Sequence, residues 1–462
     1  MRTQIHAPIW HEQRWSLRSL MARHGAVPAL RDVGALGIGA LLSQAIFLLS
    51  APLFLRLYEP ADFGRYSFVY STIALIATVI TWKMERLIVV VPARATAVRL
   101  LVAVLSTAII GGVLLLVLVL VSWPFARPLQ SELQLVWLAP LSVLILAATA
   151  GIRSYIIRTG DFKSVAVAQV ARAVVFAVGI LGTASVGGGA SRRGAIIMLS
   201  WQVLADATAL VVQLRASQQT ARLIIRRPRL RESYVVLLRL RKTIGALAVS
   251  EVLRSINQQL PIATVALGFG ATPAGWYSLA AAFVSVPASI IALAVGDVAN
   301  QRLSRLHAAG KPIAHLVLRT TIAMAAAGLL PFAAIGLFAP GLLPVVMGAK
   351  WSGASDTVAI IAVASYLWFV TEPATNVPLI VGARRYIMLW HALRMVNWVG
   401  FGAAAACGLL TYNGWIVLTV AGRSLVYGLE LVLGFVLART ADNGKSAPEI
   451  EERLAVPRLE DA

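Results

Sequence analysis

Stretches of mostly apolar residues recur at intervals of about 30 to 40 positions along the whole chain, and each is close to the roughly 20 residues that a helix needs to cross a bilayer. Twelve such windows are predicted as membrane-spanning helices. The first six cover about 33–56, 66–91, 99–122, 134–157, 165–185 and 195–214. The second six cover about 243–267, 276–300, 316–338, 357–381, 386–410 and 414–438. A basic stretch at 215–242 separates the two sets. Nine of its 28 residues are Lys or Arg against the single acid Glu232, and Pro228 interrupts any continuous helix. A run of this kind reads as a solvated cytoplasmic loop, with an anionic-lipid or partner-docking surface as the sharper alternative.

Composition agrees with the pattern: 59% of the 462 residues are hydrophobic, 13% are charged and the mean hydropathy is +0.79, which no water-soluble surface accommodates. A net charge of +21 would point to nucleic acid in a soluble protein, but here the bases lie between spans, so nucleic acid is set aside. With the N-terminus inside, thirty of the 41 Lys and Arg fall in inward segments, six fall outward and five lie in apolar windows. That bias places both termini in the cytoplasm. The one cysteine, Cys407, sits in an apolar window and supports neither a disulfide framework nor a thiol metal cluster.

Residues 1–30 carry Arg2, Arg14, Arg18 and Arg23 without the apolar core of a cleavable signal, and either Met1 or Met21 can be the start. Trp10, Trp15, Leu17, Leu20 and Met21 fit one face of an interfacial helix, and a disordered basic tail is the alternative. The expected organisation is a basic tail (1–30), a first lobe (31–214), the connector (215–242), a second lobe (243–438) and a disordered tail (439–462) rich in acids.

The halves are related in sequence. After the first span comes Pro60, Ala61, Asp62, Phe63, Gly64, Arg65, Tyr66, Ser67; after the seventh comes Pro273, Ala274, Gly275, Trp276, Tyr277, Ser278. Both read Pro-Ala, then Gly, any residue, Tyr and Ser, entering an apolar helix in the same orientation. Parallel repeats of this kind, related by an axis along the membrane normal, are typical of alternating-access transporters. The fold class expected is therefore an all-α polytopic membrane protein of about twelve transmembrane helices in two six-helix lobes.

At these residues the chain resembles the Wzx-type polysaccharide flippases of the multidrug/oligosaccharidyl-lipid/polysaccharide (MOP) exporter superfamily. The likeness is carried by Tyr58 through Tyr66 and by Gly275, Trp276, Tyr277, Ser278, Leu279 and Ala280. It continues through Val286, Pro287, Val298, Asn300, Gln301 and Arg302, and covers about 30–438. The resemblance implies two lobes around a central cavity that opens alternately to cytoplasm and periplasm of a bacterial inner membrane. It also implies a cargo of oligosaccharide repeat units on undecaprenyl pyrophosphate, for O-antigen, capsule or exopolysaccharide. A polysaccharide polymerase and a chain-length regulator are the implied partners, beside membrane lipids. No cofactor is implied.

Ionisable residues within apolar windows are the site candidates, because each is costly at mid-bilayer unless it faces a cavity or a partner. They are Lys83, Glu85, Arg172, Asp206, Glu251, Arg254, Asp297, Glu372, Arg394, Arg423 and Glu430. Arg172, Arg254, Arg394 and Arg423 are the cations suited to a diphosphate, since a guanidinium offers forked donors and stays charged. The alternative is an interhelical ion pair, and on one helix face Glu251 can pair with Arg254 and Arg423 with Glu430. Asp206, Glu251, Glu372 and Glu430 are the candidate coupling or charge partners, for a proton or sodium ion. Lys83, Glu85 and Arg86 read as snorkelling to the inner interface, and Asp297 as a solvated helix end. Pro373 and Pro378 predict a bend beside Glu372, and Pro52, Pro261 and Pro287 mark further kinks.

Enzymatic motifs are not evident. His, Cys and carboxylates show no metal-ligand spacing, and Gly187, Gly188 and Gly189 lack the context of a phosphate-binding loop. A membrane polymerase or ligase of the same sugars would need a large outer loop, and every outer loop is short. A cation-coupled drug exporter of the same superfamily is the nearer rival, but its members tend to carry an acid in the first helix, and 33–55 has none.

Overall fold

The computed structural model describes residues 26–91, 93–123, 134–184, 193–216, 230–383 and 385–444, without side chains at 26–36 and at some positions of 230–250 and 285–297. Residues 1–25 of the N-terminal tail, Arg222 to Arg229 of the connector, Gly187 to Gly189 and 445–462 of the C-terminal tail lie outside the described residues, as does the side chain of Asp297, whereas the tail expected to be disordered from 439 is helical as far as Asp442.

The first half forms α1 (Ala26–Leu57), α2 (Pro60–Thr81), the short α3 (Glu85–Val90), α4 (Arg94–Ser122), α5 (Ala139–Thr159), α6 (Phe162–Thr183) and α7 (Gly194–Ala216). The second half forms α8 (Leu230–Phe269), α9 (Ala271–Ala308), α10 (Ala314–Met347), α11 (Ser352–Thr375), the short α12 (Val377–Ile380), α13 (Arg385–Ala406) and α14 (Tyr412–Asp442). Two 3-10 turns, Gln134–Leu138 and Ala349–Trp351, complete the secondary structure of the described residues. Among the described residues nine helices are individually long and apolar enough to cross a membrane, and α8, α9 and α13 complete twelve in two six-helix lobes. Large apolar side chains on α4, among them Ile109, Ile110, Val113 and Leu114, are exposed, as a lipid-facing surface requires.

Two boundaries depart furthest from the hydrophobic pattern. The expected span 66–91 ends instead at Thr81, where Trp82 and Lys83 take positive φ values of 49° and 51°. That left-handed turn stops the helix, and the chain resumes as α3. The seventh span, expected from 243, begins at Leu230, so the basic end of the connector is already helical. With 40 residues, α8 is about 60 Å long, twice the hydrocarbon thickness. Pro373 lies in the last turn of α11, and the short α12 follows from Val377 with Pro378 in its first turn. Helix continues through Pro52 and Pro261.

Small residues let neighbouring helices approach, in the manner of packing within lipid. A Cβ at Gly39 of α1 would lie 2.6 Å from the Cβ of Ala166 on α6, and one at Gly434 of α14 would lie 2.9 Å from Ala374 of α11. The tightest crossing joins the lobes. A Cβ at Gly64 would fall 1.9 Å from the carbonyl oxygen of Ala271, and one at Gly275 would fall 2.0 Å from that of Pro60. The two copies of the repeated motif thus meet backbone to backbone at α2 and α9. Trp351 is fully buried beside them, donating from Nε1 to the Leu55 carbonyl at 2.9 Å. Arg56 reaches over to the C-terminus of α10, with Nε 2.9 Å from the Val346 oxygen and Nη2 2.7 Å from that of Val345. Those carbonyls have no partner within the helix, and a cation there complements its dipole. Lys350 and Glu59 add a 3.2 Å ion pair, so this motif end is held shut between the lobes.

Candidate functional site

Arg172, Asp206, Glu251, Arg254, Arg394, Arg423 and Glu430 sit well inside their helices, and most are compensated. In the first lobe Arg172 of α6 places Nε 2.5 Å from Asp206 Oδ1 on α7 and donates from Nη2 to Tyr70 Oη at 2.7 Å. Tyr70 donates in turn to Asp206 Oδ2 at 3.2 Å, and Gln202 Nε2 donates to the same oxygen at 3.2 Å. Tyr66 of the repeated motif donates to Gln202 Oε1 at 3.0 Å and stacks on Tyr70. The Asp206 side chain is buried with 5% exposure, while that of Arg172 as a whole keeps 42%.

The second lobe repeats this arrangement with different residues. Arg394 of α13 is ion-paired with Glu430 of α14, whose side chain is fully buried. An arginine on the fifth long helix of the lobe, an acid on the sixth and tyrosines alongside recur in both halves. Arg394 also stands 5.2 Å from the Tyr427 ring centroid. Arg423 occupies the other side of that cluster, 5.3 Å from Trp398 and 5.7 Å from Tyr427, and donates to Tyr427 Oη at 3.0 Å. The Arg423–Glu430 pairing expected from helix spacing does not form, because Glu430 turns to the neighbouring helix. Among the described residues Arg423 has no carboxylate within ion-pair distance; cation–π contacts hold it instead. Tyr277, the motif counterpart of Tyr66, packs edge-on against Trp415 at 6.0 Å.

A third group lies where α8 meets the first lobe. Glu251 Oε2 accepts from Arg254 Nε at 3.0 Å and Nη2 at 2.8 Å, while its Oε1 lies 2.5 Å from Arg86 Nη1 of α3. Arg86, assigned to the interface by the sequence, therefore reaches into an interlobe ion pair. Lys83 lies 3.5 Å from the buried Glu85, and Arg99 of α4 pairs with Glu232 of α8 at 2.7 Å. Glu372 of α11 faces α9, where a Cβ at Gly296 would come within 3.1 Å of its Cγ. Arg153 of α5 is not among the sequence candidates, since a base close to the end of an apolar window reads as a loop charge. It is exposed, within electrostatic range of Arg172, and without a carboxylate partner among the described residues. Its position inside the window 134–157 was the available signal. No group of three or more His, Cys, Asp and Glu among the described residues could hold a metal ion.

Twelve long helices in two six-helix lobes, nine of them among the described residues individually apolar enough to cross a bilayer, make this a multi-pass membrane protein. The chain belongs to the polysaccharide biosynthesis protein family, whose model matches residues 53–356. Among solved structures it is similar in fold to the lipid II flippase MurJ in an inward closed conformation. That match has a TM-score of 0.66 at 11% identity, covering 88% of this chain and 90% of that one. It is also similar to a multidrug resistance MATE family transporter of the MOP superfamily, outward-facing, with a TM-score of 0.57 at 15% identity over 89% of this chain and 96% of that one. No curated protein matches in sequence. The fold is thus shared with these flippase and transporter structures.

Proposed function

We propose that the protein is a flippase that carries undecaprenyl-pyrophosphate-linked oligosaccharide repeat units from the cytoplasmic to the periplasmic leaflet of a bacterial inner membrane by alternating access, with both termini cytoplasmic. The observation that supports this reading most is the set of guanidinium groups at mid-span in both lobes of a protein whose family is polysaccharide biosynthesis. A sugar chain cannot cross about 30 Å of hydrocarbon unaided, while a polyprenyl tail never has to leave it. Arginines at mid-depth offer the diphosphate a path of forked, charge-assisted donors. Arg423 and Arg153 are the best placed for the anion because no acid among the described residues pairs with them, whereas Arg172, Arg254 and Arg394 each share a carboxylate. Translocation requires no bond to be made or broken. Restoration of surface polysaccharide in a strain lacking its flippase tests the proposal, with the stranded lipid-linked intermediate measured in parallel. A strain that regains neither export nor normal intermediate levels, despite normal membrane abundance of the protein, would overturn it.

A further inference from the structure

The seam between α8 and α13 contains more positive charge than its acids balance, together with unsatisfied polar atoms. Glu251, Arg254 and Asn257 follow one another at helical spacing on α8, and Asn257 Nδ2 donates to the His391 carbonyl of α13 at 3.2 Å. His391 shares its electrostatic surroundings with Arg254, Arg394 and Glu251. Its Nδ1 and the Oδ1 of Asn257 are buried without a hydrogen-bond partner among the described residues. Arg86 arrives from α3 across the lobe boundary. Two guanidinium groups hold Glu251 and the His391 imidazole lies within its electrostatic range; Glu251 has 12% side-chain exposure, while Arg254 and Arg86 keep 38% and 55%. The acid is enclosed and the cations remain open to a ligand. Each arginine has five N–H donors, and the contacts to Glu251 leave several unused.

We propose that Glu251 is a resident counter-anion, holding the Arg254 and Arg86 site that the cargo's diphosphate takes over, so that loading releases α3 from α8. This inference rests on the reading of a diphosphate-bearing cargo. A carboxylate carries one charge and two oxygens, whereas a diphosphate diester brings two charges and more acceptors to the same forks, so exchange favours the ligand once it arrives. When Arg86 and Arg254 turn to the ligand, Glu251 no longer ties the first lobe to α8. The pair is then a lock opened by the anion it is built to imitate.

Inorganic pyrophosphate is the probe. In purified full-length protein, Glu251→Gln removes the competing charge and is expected to bind pyrophosphate about tenfold more tightly, while Arg254→Gln loses binding. A purely structural Glu251 gives the opposite sign, since its loss would loosen the arginines and weaken binding. Spin labels at Val89→Cys and Val249→Cys, both exposed, read the lock in a Cys407→Ser background. Pyrophosphate is expected to lengthen the distance in the parent protein, and Glu251→Gln is expected to show the longer distance without ligand. Unchanged or weaker binding by Glu251→Gln, or a distance that pyrophosphate does not alter, overturns the inference. If Glu251→Gln fails to fold, Glu251→Asp decides, with partial tightening and partial lengthening expected and no change in either fatal. In nanodiscs, pyrophosphate binding abolished by phosphatidylglycerol would reassign the site to a membrane headgroup and likewise overturn it. Should the binding results hold while the parent protein fails to restore glycan export, the anion site stands and the cargo reading falls. Should export be restored without tighter binding in Glu251→Gln, the counter-anion role falls alone.

Discussion

At the scale of single residues, compensation separates the arginines. Removing Arg394 strands the fully buried Glu430, and losing one partner of a buried pair costs about 3 to 5 kcal/mol, whereas Arg172 is partly exposed and its loss leaves Asp206 with the Tyr70 and Gln202 donors, so it costs less. Arg172→Ala and Arg394→Ala are therefore expected to lower membrane abundance and thermal stability. The doubles Arg172→Ala/Asp206→Ala and Arg394→Ala/Glu430→Ala should recover much of that loss. Arg423→Ala strands no acid, so normal abundance with lost glycan export is expected and Arg423→Lys should be intermediate, because a lysine keeps the charge without the forked, stacking group. Abundance measured beside surface polysaccharide for each variant decides it: export that merely follows abundance would make all of them structural. The candidates were legible because a charge inside an apolar window stands out, but their partners mostly were not. Glu251 and Arg254 are three apart on one helix and meet as spacing suggests. Arg172 finds Asp206, and Arg394 finds Glu430, on separate helices whose relative rotation no local pattern encodes. The spacing of Arg423 and Glu430 was misleading for the same reason.

Between elements, the crossing of α2 and α9 leaves no room for a side chain. Gly64→Ala or Gly275→Ala sets a methyl group within about 2 Å of a carbonyl oxygen of the other lobe, so either should force the motif ends apart. Increased reactivity of a cysteine replacing the fully buried Ala274 toward an impermeant maleimide, in a Cys407→Ser background, would report the parting. Gly400→Ala is the control, since nothing lies within 4 Å of a Cβ there and helix propensity alone predicts a gain of up to about 1 kcal/mol. If Gly275→Ala and Gly400→Ala leave reactivity equally low, the crossing does not govern closure. The repeated Pro-Ala and Gly-x-Tyr-Ser segments were plain in the sequence, but that the two copies touch was not, because a repeat gives kinship without contact. The break after Thr81 escaped notice because Trp82 and Lys83 are not residues that ordinarily mark a left-handed turn.

For the molecule as a whole, the alternation of twelve helices sets which loops meet which side. Cysteines at Thr272 or Asn413, in a Cys407→Ser background, should react in intact cells with an impermeant thiol reagent and one at Arg227 should not; labelling at Arg227 would reverse the orientation derived from the positive charges. Helix number was readable because the bilayer enforces span length, whereas the overreach of α8 was not, since a basic helix continuing past the apolar core looks like a loop. That overreach has a consequence for how the two halves come to be joined. Val236 and Ile244 of α8 complete an apolar cluster with Met84, Leu87, Ile88 and Leu100 of the first half, so the opening helix of the second half serves as a clasp on its neighbour. A gene divided within 217–229 sends the clasp out with the second polypeptide, and the two separately made pieces carry what they need to find each other in the bilayer. Divided after Phe269 instead, the clasp stays with the first piece, and the second piece must reassociate through its contacts at the motif end and the α8–α13 seam.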